Sequence, residues 1–398
     1  MRIVNIIKTY LQHGDRFLVV EILRHFIRVS LIKTNFEERQ LHLLKSITRP
    51  LSADDGLNNA LEILKKIVAS FGKISKYRIV LSLSPQFATT IHSSISLIRE
   101  KSKIPIDDPD LDNLVSQAIW KFYDRQRGKV ATKMRINDLD VLLSDVQIKG
   151  IKLDGHKVMN PIGFNAKSVE FQLNATFTSR DCINGLKAIL PREKVAFIGE
   201  DGSTLAYLLS HSHKESSFLA VNVFPEETAL FVAKEGTINF LDTFLWGESA
   251  LKKALADSLS VSREIAGEVL KKCALGQTSQ FFMKRVEKFL FEELGVFAKG
   301  LDNFLNRADV KSIYIQPFFH MPPVVFTQAF KNHFSQSVKV FPVYDSLISE
   351  KLEFNLKLNR GYEIPNSFSA ISGIMASYFY PQSEQIKKIA KRRIRWLI

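Results

Sequence analysis

Residues 17–21 form a short apolar run that reads as a strand. Residues 25–33 alternate well enough for a second strand, and residues 40–48 for a third. Asp55-Gly56 then opens a helical pattern in which Leu57, Leu61, Leu64, Val68 and Phe71 share one face. A further strand is predicted over 78–83. The same order returns about 200 residues later. Residues 218–223, 228–234 and 237–243 read as three strands, with Glu235-Gly236 as the second turn. Helices follow, one with Leu251, Leu255 and Leu259 on a face, one from an N-cap at Ser262 through Lys272, and a long one over 281–304. Residues 311–316 look like a buried strand. Between the repeats, a helix over 111–124, a charged connector over 125–133 and strands near 145–153 and 169–178 suggest an inserted α+β segment.

Two strand triplets, each followed by a helix and a strand, predict an α/β fold of the actin-like (ribonuclease-H-like) kind. Its two-lobed core would carry the inserted α+β subdomain. The boundaries expected are 1–83 for the first part of lobe I, 84–179 for the insertion and 180–215 for the rest of lobe I. Lobe II would occupy 216–358, a closing segment of lobe I 359–380, and a linker with a C-terminal helix 381–398.

A length of 398 residues calls for more than one core, and a 45% hydrophobic, 24% charged composition is that of a globular chain. Cys182 and Cys273 support no disulfide framework or CxxC site and are read as small buried side chains. Neither a signal peptide nor a spanning helix is expected. GxSxG, HExxH and P-loop patterns are absent from the sequence. His211 and His213 lack a third ligand at suitable spacing and are read as surface histidines on a loop. Asp107, Asp108 and Asp110 around Pro109 suit a helix N-terminus.

The stretch Gly155-His156-Lys157-Val158-Met159-Asn160-Pro161-Ile162-Gly163-Phe164 resembles the Asn-Pro-hydrophobic-Gly-hydrophobic segment of the FtsA family of bacterial cell-division proteins. The order from Glu235-Gly236 through Trp246-Gly247 to Glu268-Val269-Leu270-Lys271 is also similar, as is the span 365–380 around Gly373. The resemblance implies a cytoskeletal adaptor that self-associates into filaments and joins a tubulin-like FtsZ partner to the inner face of the cell membrane. It implies ATP with magnesium as ligand, and it places Glu21, Thr228, Gly247, Glu268 and Lys271 at the cofactor-binding positions. The related pilus-assembly scaffold PilM and an active ATPase of the same fold are the alternatives.

The departures from that family are chemical. Its first hairpin turn carries Asp-x-Gly-Ser/Thr, where this chain has Glu21-Ile22-Leu23-Arg24. The second turn reads Asn222-Val223-Phe224-Pro225-Glu226-Glu227-Thr228, and the later glycine pair maps onto Gln316-Pro317-Phe318-Phe319. A turn that cradles phosphate brings backbone N–H groups close to it, which glycine permits. Leu23 and Phe224 add bulk, Pro225 removes a donor, and Glu226 and Glu227 add negative charge. A pseudo-ATPase with weak or no ATP binding is expected.

The net charge is +14, and Lys387, Lys388, Lys391, Arg392, Arg393 and Arg395 crowd the C-terminus. On a helix, Ile386, Ile389, Ala390, Ile394, Trp396 and Leu397 gather on one face, with Lys388, Lys391, Arg392 and Arg395 opposite. Such a helix suits an anionic membrane surface, with Trp396 at headgroup depth and Ile398 closing the apolar end. It could instead dock on the protein's own core or bind nucleic acid. The apolar load of Trp396-Leu397-Ile398 argues against nucleic acid.

Overall fold

The computed structural model describes residues 15–24, 26–35, 37–51, 56–212, 217–234, 237–317, 330, 333–334, 337–340, 355–358 and 384–394. The chain divides into two compact units. One contains Leu43–Thr204 with the C-terminal helix, and the other contains Leu205–Ser369.

In the first unit, β1 (Arg16–Ile22), β2 (Phe26–Asn35) and β3 (Gln40–Pro50) form an antiparallel meander, and helix α1 (Leu57–Ala69) follows. Strand β4 (Arg78–Leu83) lies parallel to β1. An inserted layer then intervenes, made of β5 (Ala88–Ile98), α2 (Asp108–Met134), β6 (Val141–Leu153), β7 (His156–Val158) and β8 (Ser168–Ser179). Its sheet runs β5-β8-β6-β7, antiparallel throughout, with α2 packed on it. After α3 (Arg180–Ile189), strand β9 (Val195–Glu200) returns parallel beside β4, and α4 (Asp201–Ser212) follows. The main sheet therefore contains the order β3-β2-β1-β4-β9. Leu18, Val20, Ile27, Ile79 and Leu81 are buried under α1 and α3 in one apolar core.

The second unit repeats the plan. Strands β10 (Ser217–Val223), β11 (Thr228–Lys234) and β12 (Thr237–Phe244) are antiparallel. Helices α5 (Glu248–Leu259), α6 (Arg263–Ala274) and α7 (Gln280–Ala308) precede β13 (Ser312–Pro317) and β14 (Ser337–Val340), both parallel to β10 in sense. The order β12-β11-β10-β13-β14 matches the β3-β2-β1-β4-β9 part of the six-stranded first sheet strand for strand. Its own core centres on Leu219, Val221, Leu251, Leu290, Phe297 and Ile313.

Two expectations change. The charged stretch 125–133 is no connector but the second half of α2, a 27-residue helix. Asp107 caps it by accepting from the Asp110 N–H at 2.8 Å, and Arg135 ends it in the left-handed conformation. Arg125 and Lys129 occupy its solvent side, while Gln126, Val130 and Ala131 are buried and Lys133 reaches the buried Glu200. His211 is likewise helical, in the last turn of α4 rather than on a loop. The turn at Glu235-Gly236 and the span 365–380 lie outside the described residues.

The C-terminal helix α8 (Glu384–Ile394) packs against α2 and β6 in the first unit. Ile386, Ile389, Ala390 and Ile394, the apolar face predicted for lipid, are buried in the core of the inserted layer. The amphipathic pattern is real, but its apolar side is already spent on protein. Lys388 and Arg392 remain exposed and Lys391 half-buried, whereas Arg395, Trp396, Leu397 and Ile398 lie outside the described residues.

Candidate functional site

Parallel strands aim their carboxyl ends in one direction, and polar side chains collect there in the first unit. Glu21, next to last in β1, sits in register with Ser82 of β4 and with Arg28 of β2. It is fully buried and held in a two-pronged ion pair. Arg28 donates from Nη2 to Oε1 at 2.8 Å and from Nε to Oε2. Strand β9 ends at Glu200, and Asp201 opens α4. Ser82 Oγ donates to Asp201 Oδ1 at 3.2 Å, while the buried Oδ2 has no hydrogen-bond partner among the described residues. Burial first, then the negative charge of Glu21, drives the Asp201 carboxyl well above the carboxylate range.

Glu200 turns toward the inserted layer. It accepts from the Thr90 N–H at 2.8 Å and from Lys133 Nζ at 3.2 Å. Burial raises the Glu200 carboxyl and lowers the Lys133 ammonium, each against the pull of the other. His92 Nε2 lies 3.1 Å from Ser203 Oγ, and burial lowers its pKa well below that of a free histidine.

The hairpin turns close on themselves. Leu23 is buried and donates its N–H to Phe26 O at 3.0 Å. In the second unit, Phe224 is buried and its N–H donates to Glu227 O at 2.8 Å. The α5 N-terminus, a natural anion site, is used internally. Its Glu248 and Ser249 N–H groups donate to Phe224 O at 3.1 Å and Pro225 O at 2.8 Å. Ser249 Oγ also donates to the Glu226 carboxylate.

Gly247 permits this closure. A Cβ there would lie 2.2 Å from Phe224 O, so the glycine serves packing of helix on turn. Thr228 is buried and donates to Trp246 O at 2.8 Å. Glu268 and Lys271 lie on α6, Glu268 exposed and Lys271 half-buried. Asn222 and Gln316, register partners across β10 and β13, are buried, and Asn222 Oδ1, Asn222 Nδ2 and Gln316 Oε1 have no partner among the described residues. They occupy the strand positions that Glu21 and Ser82 hold in the first unit.

Magnesium with a polyphosphate does not fit these residues. Glu21 is neutralised by Arg28, burial holds the Asp201 carboxyl well above its ordinary value, and the turn donors named above already have acceptors. Among the described residues, no group of three His, Cys, Asp or Glu side chains is placed to hold a metal. Sequence reasoning missed Arg28, Lys133, Glu200 and Asp201. The signal for the last two was an acidic pair directly after the apolar run that ends at Gly199.

No protein-family model matches the chain, and no curated protein matches it. Among solved structures it is similar to a PilM-PilN type IV pilus biogenesis complex, at 14% identity over 94% of this chain and 97% of that one, with a TM-score of 0.42. A Bacteroides thetaiotaomicron protein of unknown function with an actin-like ATPase fold is 8% identical, over 83% of this chain and 92% of that one, at a TM-score of 0.40. EutJ, an ethanolamine utilization protein from Carboxydothermus hydrogenoformans, is 10% identical, over 92% and 90%, at 0.37. The topology speaks more directly than these figures. Each unit has a three-stranded antiparallel meander whose first strand is extended by two parallel strands. The fold is actin-like. The inserted layer interrupts the first repeat between β4 and β9.

Proposed function

We propose that this chain is a non-hydrolysing assembly scaffold of the actin-like fold, with an FtsA-like adaptor role. In that role it links filaments of an FtsZ-type tubulin homologue to the inner face of the cytoplasmic membrane and self-associates alongside them. The carrying observation is the self-closed second hairpin turn. Phe224, Pro225 and the α5 N-terminus bond to one another where a phosphate would need free donors. Isothermal titration with Mg-ATP tests it. No saturable heat at millimolar nucleotide is expected, and tight magnesium-dependent binding would end the proposal.

The docked position of α8 favours a second reading, a PilM-like scaffold that grips the cytoplasmic tail of a membrane protein and needs no lipid-binding helix of its own. Co-sedimentation of the full chain with anionic vesicles separates the two. Peripheral attachment requires binding that weakens with salt. Among the described residues no helix is long and apolar enough to cross a membrane.

A further inference from the structure

The C-terminal helix presents one apolar face, made of Ile386, Ile389, Ala390 and Ile394. These side chains are sealed between α2 and β6, so the helix cannot lie on lipid while it is docked. The docked state is also ionic. Arg392 and Arg393 both donate to Asp112 on α2, and Gln385 donates to Asp108 one turn earlier. Lys391 lies in the field of the buried Asp145 and donates to Val195 O at 3.4 Å. The groove thus offers what an anionic bilayer offers, an apolar floor beside fixed negative charge.

The seat is incomplete at one end. A cavity of about 130 Å³ lies beneath the last turn, lined by Leu81, Asp145, Leu186, Ile198, Lys391 and Ile394. Side chains bordering a void lose contacts on that side, and Lys391 and Ile394 of α8 are among them.

We propose that α8 is a self-docked latch, shared between the α2–β6 groove and an anionic lipid surface in mutually exclusive states, with Asp112 as the ionic catch. This rests on the membrane-adaptor reading above. Lipid phosphates compete with Asp112 for Arg392 and Arg393, and the freed isoleucines enter the interface.

The test compares the full chain with Asp112→Lys on vesicles of phosphatidylglycerol and phosphatidylethanolamine, and follows amide exchange across 386–394 without lipid. Asp112→Lys is expected to speed exchange in the helix and to tighten vesicle binding about tenfold beyond a control with the same charge change at the exposed Asp257, Asp257→Lys, as freeing a mostly docked helix requires. Because that variant could disturb folding, a second uses Asp112→Cys with Arg392→Cys joined by a bismaleimide; the native Cys182 and Cys273 are buried. The joined form is expected to lose vesicle binding and to regain it when the same pair is left unjoined. Faster exchange with measurable but unchanged vesicle binding, or measurable and equal binding by joined and unjoined forms, overturns the latch and leaves the adaptor reading standing. Failure of every form to bind, with α8 shown free by exchange in Asp112→Lys, overturns the adaptor reading and the latch with it.

Discussion

Glu21 and Arg28 illustrate how a buried charge is tolerated. Neither is reached by solvent, and each supplies the other's counter-charge through two hydrogen bonds. Removing one partner strands the other, so Arg28→Ala is expected to cost about 3–5 kcal/mol in urea unfolding. Replacing both with methionine should recover most of that loss. Asp201 carries a different signature. Its folded pKa lies above its unfolded value, so the folded chain retains a proton that the unfolded chain releases. Stability from this group is full in acid and is lost as pH rises through the raised folded value. Asp201→Asn is expected to flatten that decline and to gain on the natural chain as pH increases. Denaturant titrations at stepped pH would show parallel curves if Asp201 were ionised in the fold.

Turns and helices decide what those residues can do. The α5 N-terminus would attract an anion if its N–H groups were free, but Phe224 O and Pro225 O already accept from it. Gly247→Ala drives a methyl into that carbonyl pair and is expected to lower stability by about 1–3 kcal/mol, read by chemical denaturation. Helix α8 has become part of a core rather than an appendage. Ile389→Ala should cost about 2–5 kcal/mol, as deletion of a buried isoleucine does, with the loss confined to exchange in the first unit. An unaltered stability would mean that the helix contributes nothing to that core.

For the whole molecule, one strand plan has been written twice with different chemistry. The first unit places Glu21 and Ser82 at the ends of paired parallel strands, and the second places Asn222 and Gln316 there. A ligand at one hundred times its dissociation constant stabilises a fold by about 2.7 kcal/mol. Millimolar Mg-ATP is therefore expected to leave the thermal midpoint unchanged. Truncation is a poor probe of the C-terminus. A chain ending at Gln385 loses Ile386, Ile389, Ala390 and Ile394 from the inserted layer as well as the basic residues. Substitution at Asp112 separates the two effects.

Local alternation and helical spacing sufficed for the strand triplets, for the helices bearing Leu57 and Leu251, and for the cap at Ser262, because those signals reside within a few neighbouring residues. The same is true of the unusual turns at Leu23 and Phe224-Pro225, whose bulk and missing donor are properties of the residues themselves. Strands β5 and β9 carried weaker patterns, and the length of α2 was hidden by a run of charges, of which Arg125 and Lys129 face water and Lys133 a buried carboxylate. Long-range register is another matter. Glu21 meets Arg28 across one hairpin, but it meets Ser82, and Glu200 meets Lys133, only because β1, β4, β9 and α2 converge from far along the chain. The amphipathic face of α8 was written in its spacing, but spacing cannot say whether protein or lipid covers it. In the folded chain it is covered by an apolar groove between α2 and β6 with Asp112 at its edge, assembled from residues more than 200 positions away.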